Sequence, residues 1–293
     1  MSATSRWTRR LAGPAWVSLS LLGLTVLAWI LVHPEGRGTD AYSYWSWSPD
    51  DPYRQAVGNV DAPVAFRYAP PVGIVLLPLR SVSFDAFLWL WTALLLAALA
   101  WQARWWSFAA LALYPVLLEV SVANVHLLLG AAIVAGFHFP EAWAFPLLTK
   151  VTPGIGILWF AVRREWRALA RAVGATAVIA GVSFVVAPGW WSDWIAMLAS
   201  NVGLQGGTSV PVPLLIRLPL AALIVAWGAR TDRRWCVPIG SFLALPTIWP
   251  QSFALLVAIV PLVGSGARPR LRAGGGAGRE ELARVGRSSA DRR

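Results

Sequence analysis

Asp40 stands in the run Gly38-Thr39-Asp40-Ala41-Tyr42-Ser43-Tyr44-Trp45, one carboxylate among aromatic side chains. Burial in such surroundings disfavours the charged form, raises the carboxyl's pKa toward working pH and makes it competent as a general base. The plainer alternative is a solvated loop aspartate that caps a short helix, and spacing alone does not separate the two. Lys150 is the one lysine of the chain and lies inside an apolar run beside a helix break, Lys150-Val151-Thr152-Pro153. An ammonium held there suits a lipid-linked phosphate, which it meets as a point charge, while the competing reading is a lysine snorkelling to the interface. Arg217, after Pro211 and Pro213, offers phosphate oxygens a forked guanidinium, with interface snorkelling as an equal alternative.

Other groups are less specific. Glu119, Asn124 and His126 gather at a helix turn, where they bind a sugar hydroxyl or cap the turn. His33, His126 and His138 lack metal-ligand spacing, and the single Cys236 excludes both an intrachain disulfide and a cysteine metal cluster. Neither a metal nor a cofactor is therefore expected, and nothing indicates a divalent cation. Ser48-Pro49-Asp50-Asp51-Pro52-Tyr53 reads as a turn rather than a cation site. Trp190, Trp191 and Trp194 form an interface belt or pack against a prenyl chain. No phosphate-binding loop, dinucleotide-binding glycine pattern or Ser-His-Asp order stands in a believable context.

The elements that must position these groups follow from composition. With 57% of 293 residues apolar and 13% charged, the chain falls far below the roughly one quarter charged residues that clothe a soluble domain. A water-soluble enzyme is excluded. The net charge of +11 would suit nucleic acid, but the arginines fall in short clusters between long apolar runs and in the final tail, which is how charge orients helices in a bilayer. Ala15 to Val32, preceded by Arg6, Arg9 and Arg10, reads as a retained anchor with the N-terminus inside. The polar segment His33 to Tyr68, with five acids against three arginines, then lies outside. Ala69 to Leu79 is too short to cross and is broken by Pro70, Pro71 and Pro78, predicting a juxtamembrane or re-entrant helix.

Further runs alternate across the bilayer: Phe84 to Trp101, Trp106 to Glu119, Asn124 to His138, Trp166 to Val186 and Val212 to Ala229. Ala142 to Ala161, interrupted at Lys150 and Pro153, predicts two half-helices that enter and return. Cys236 to Trp249 and Ser252 to Val263 predict a closing hairpin. Pro188 to Val210, rich in Gly and Trp, reads as an outer loop. The expected fold is an all-α polytopic membrane helical bundle of about eight to ten transmembrane or re-entrant helices. Its first outer loop carries short juxtamembrane helices. Residues 1–264 form this membrane-embedded domain, with outer loops 33–70 and 188–210. Residues 265–293, with eight arginines against three acids and little apolar content, read as a disordered basic cytoplasmic tail touching anionic headgroups.

An outer-loop aspartate followed by aromatics (Asp40, Tyr42, Tyr44, Trp45), then Phe66-Arg67-Tyr68-Ala69-Pro70-Pro71 with Pro78, then Lys150-Val151-Thr152-Pro153 before an arginine cluster, resembles glycosyltransferase family 87. That family lies within the C-type glycosyltransferase superfamily and contains polyprenyl-phosphate-mannose-dependent alpha-mannosyltransferases. The likeness runs from about Trp16 to Pro261. It implies a multi-pass enzyme of a bacterial plasma membrane, both termini cytoplasmic, that moves a mannose or other sugar from a polyprenyl-phosphate donor to a lipid or glycan acceptor outside.

Asp40 matches the superfamily's catalytic base, which takes the acceptor proton as attack inverts the anomeric carbon. Lys150 and Arg217 would hold the departing phosphate, with Tyr42, Tyr44, Arg67, Tyr68, Asn124 and His126 as further substrate contacts. The chain departs from the family where Ser-Trp and an aromatic or histidine pair are usual, having Ile248-Trp249-Pro250-Gln251-Ser252-Phe253 instead. A transporter or flippase for lipid-linked glycans would use the same cations without a base, though no internal repeat is visible. A non-catalytic membrane partner of a glycan-assembly complex is the third class.

Overall fold

The computed structural model describes residues 3–33, 36–204 and 210–263, which build helices and their connecting turns with no strand among them. The basic tail and residues 205–209 of the expected second outer loop lie outside the described residues. Three helical stretches are long and apolar enough to cross a membrane, Gly13–Val32, Phe84–Ala110 and Trp166–Val186; a bent pair, Tyr114–Val122 with His126–Gly136, would make a fourth. Their outward faces are apolar: Leu21, Trp29, Val178 and Val185 are exposed by 61, 60, 66 and 82%. Such a surface belongs against hydrocarbon rather than water.

Helix α1 (Ala3–Val32) and α4 (Phe84–Ala103) are the first two long elements, and between them lie α2 (Thr39–Ser46) and α3 (Pro70–Leu76). Proline at the first turn starts α3, where a missing N–H costs nothing. Ser83 caps α4 by accepting from the Ala86 N–H at 3.3 Å. Helix α5 (Ser107–Ala110) packs against α1. The approach is close because Gly23 has no side chain; a Cβ there would lie 2.6 Å from the Phe108 carbonyl oxygen.

Two pairs of short helices follow. Helix α6 (Tyr114–Val122) meets α7 (His126–Gly136) at a 107° bend, with Ala123 left-handed at φ 58°. Helix α8 (Ala144–Thr149) runs up to Lys150, and after a 3-10 turn α9 (Leu158–Val162) returns. Six residues of α8 span roughly 9 Å, far short of about 30 Å of hydrocarbon, so this unit enters and returns. Its base is marked by ion pairs of Glu141 with Arg171 (2.6 Å) and of Arg163 with Asp232 (2.9 Å). At its tip the Ala69 N–H donates to the Leu148 carbonyl at 3.2 Å.

Helix α10 (Trp166–Val186) flanks this hairpin. The expected outer loop after it is instead helix α11 (Pro188–Ser200). Pro188 starts it, and Trp190 and Trp194, one turn apart, donate indole N–H groups to the Pro49 and Arg67 carbonyls at 3.0 and 3.2 Å. Glycine and tryptophan content suggested a loop, but the spacing of those two indoles is helical. Helix α12 (Leu214–Arg230) packs on α13 (Cys236–Leu243), and a 3-10 segment, Pro250–Ala258, leads into α14 (Ile259–Leu262).

Candidate active site

Asp40 lies in the first turn of α2, whose entry is set by Gly38. That glycine is left-handed at φ 70°, a Cβ on it would press to 2.6 Å from Leu88, and its N–H donates to the Ser121 carbonyl at 2.8 Å. The first turn of α2 is thereby fixed against the α6–α7 turn. Asn124, in that turn, donates from Nδ2 to Asp40 Oδ2 at 2.6 Å. Its Oδ1 accepts from the Val125 N–H at 2.7 Å and from the Tyr44 hydroxyl at 3.2 Å. The Tyr44 and Tyr68 hydroxyls are 3.0 Å apart, and Tyr53 holds the Tyr68 carbonyl at 2.9 Å. Lys150 Nζ lies 5.5 Å from the centre of the Tyr68 ring. Five of the sequence-predicted residues, Asp40, Tyr44, Tyr68, Asn124 and Lys150, therefore converge from four separate stretches of chain.

Burial pushes the half-buried Asp40 carboxyl above its ordinary value; the Asn124 hydrogen bond and the positive charge of Lys150 oppose this without cancelling it. Burial also drives the Tyr44 and Tyr68 phenols well above the usual tyrosine range, so both stay protonated and serve only as hydrogen-bonding groups. Among these residues the carboxylate is the group suited to accept a proton.

His126 belongs to an adjoining network. Glu119 is fully buried, and its carboxylate accepts from the His126 and Leu127 N–H groups at 2.5 and 3.3 Å and meets His126 Nδ1 at 2.9 Å. Capping the start of α7 in this way satisfies an anion that would otherwise be costly to bury. His126 Nε2 lies 3.3 Å from Ser252 Oγ, which accepts from the Trp249 N–H at 3.1 Å. Ser252 had no functional reading in the sequence, because its partner is 126 residues away and no local pattern signals the contact.

Three expected substrate contacts take other positions. Arg217 is 5% exposed and donates to four carbonyls, of Val212, Leu243, Leu245 and Pro246, at 2.7 to 3.0 Å. That occupies four of its five N–H groups and makes it a clamp on the chain after α13 rather than an open phosphate fork. Arg67 likewise donates to the carbonyls of Asn59, Val60, Ala62 and Ala65, closing the segment between α2 and α3 on itself. Tyr42 is 41% exposed on the opposite side of α2, edge-on to Phe84 at 5.2 Å.

An apolar cavity of about 430 Å³ is lined by Leu147, Val151, Thr152, Ile155, Leu169 and Leu218, and Lys150 is not part of its lining. Among the described residues no group of three or more His, Cys, Asp or Glu could hold a metal ion.

No curated protein and no solved structure matches the chain. A family model does, over residues 66–276, a segment that contains Tyr68, Asn124, His126 and Lys150 and begins after Asp40. With more than two thirds of its residues covered by that match, this helical membrane protein belongs to glycosyltransferase family 87 and is a membrane glycosyltransferase.

Proposed function

We propose that the chain transfers a sugar, mannose or another hexose or pentose, from a polyprenyl phosphate to a lipid or glycan acceptor at the extracytoplasmic face of a bacterial plasma membrane. The observation that carries this reading is the pairing of one carboxylate and one ammonium about Tyr68, with Asp40 under the charge of Lys150. Asp40 removes the proton of the acceptor hydroxyl as that oxygen attacks the anomeric carbon from the face opposite the phosphate. The bond from that carbon to the phosphate oxygen breaks, the configuration inverts, and the electron pair leaves with the polyprenyl phosphate. Lys150 meets the charge that develops there, which is worth most in a site short of water.

The phosphate role rests on Lys150; Arg217, with its donors spent on carbonyls, is assigned to holding the fold. Purified chain in nanodiscs, supplied with radiolabelled polyprenyl-phosphate sugars and candidate acceptors, tests the proposal. Glycosidic product from the parent, lost in Asp40→Asn while membrane insertion persists, is the expected result. Full transfer by Asp40→Asn would remove this mechanism, and movement of the lipid-linked sugar without product would replace it with a flippase.

A further inference from the structure

Arg37, just past the end of α1, is 8% exposed, a depth at which a guanidinium ordinarily has a carboxylate. Among the described residues it makes one long hydrogen bond, from Nη2 to the Thr92 hydroxyl at 3.4 Å, and its buried Nε–H has no acceptor there. No ion pair joins it to any carboxylate among the described residues. It shares no hydrogen bond with the Asp40 cluster. Its carbon centre lies 5.0 Å from the Trp89 ring on α4, and that indole is 51% exposed beside Leu90 at 56%. The cation therefore sits at the level where two long apolar helices end, under an indole that faces lipid, with most of its donors free of protein acceptors among the described residues.

We propose that Arg37 and Trp89 form a binding site for the phosphate of an anionic phospholipid in the leaflet at the Asp40 end. A phosphate diester supplies the acceptors and the negative charge that the protein does not. An anionic headgroup is favoured over a zwitterionic one because it brings no second cation to neutralise the phosphate. The same chemistry could come from a free phosphate ion. The exposed Trp89 and Leu90 argue for the lipid, as they offer contact to the glycerol and upper acyl carbons and none to an aqueous ion.

Native mass spectrometry on the full chain, released from membranes of phosphatidylglycerol and phosphatidylcholine, tests the site. The parent is expected to retain about one more phosphatidylglycerol than Arg37→Gln, with phosphatidylcholine counts alike and no displacement by millimolar inorganic phosphate. Trp89→Ala, which leaves the guanidinium in place, should also lose that lipid, and it carries the test if Arg37→Gln does not fold. Equal phosphatidylglycerol counts in the parent and the folded variant would overturn the proposal. Displacement by inorganic phosphate would also overturn it, in favour of a free-anion site.

Discussion

Asp40 is drawn two ways, upward by burial and downward by Asn124 and Lys150. A base works in its deprotonated form, so raising its pKa moves the rise of activity with pH to higher pH. Transfer should therefore switch on at a pH above the ordinary carboxylate range. Asn124→Ala removes the 2.6 Å hydrogen bond that favours the charged form, and its acid limb should lie higher still, as a pH–rate profile would register. Lys150→Gln should shift the limb the same way and also lower turnover by about 10²- to 10³-fold, the effect typical of removing one group that stabilises developing charge. Asp40→Asn should cost about 10²- to 10⁴-fold, read as product formed per folded enzyme. Asp40 and Lys150 were legible because their types are conspicuous against an apolar chain. The tasks of Arg217 and Arg67 were not, since their acceptors are backbone carbonyls brought into reach by turns that no residue type announces.

The α6–α7 turn shows how an element serves the site. Glu119 caps the first N–H groups of α7 and holds His126, while Asn124, between them in sequence, reaches Asp40. Glu119→Ala would leave two buried N–H groups and an imidazole without their acceptor. It should destabilise the protein by about 1–3 kcal/mol, the cost of leaving buried hydrogen-bonding groups unsatisfied, seen as a lower melting temperature in detergent. Glu119→Gln, which keeps an oxygen for the N–H groups, should lose less. Helix α10 and the break at Lys150 were readable from run length and from Pro153. Helix α11 was hidden because its tryptophans face the segment between α2 and α3 across a tertiary contact, and composition reports neither partner nor direction.

For the whole molecule, the all-helical membrane class followed from composition, whereas the way short hairpins gather beneath the segment between α2 and α3 did not. That gathering depends on close backbone approaches such as the one at Gly23. Gly23→Val sets a branched side chain against backbone atoms that cannot yield, and it should destabilise by about 1–3 kcal/mol or prevent folding. At Gly13 a Cβ meets nothing within 4 Å, and Gly13→Ala should be neutral or mildly stabilising in the same melt. The hairpin that carries Lys150 is tethered at both ends by protein groups, Glu141 with Arg171 below and Ala69 with Leu148 above. The height of the ammonium relative to the carboxylate is thus a ruler built into the chain and independent of acyl length. Catalysis in vesicles of thin and thick lipid should differ in how readily the donor arrives, while the rate of the chemical step at saturation stays level.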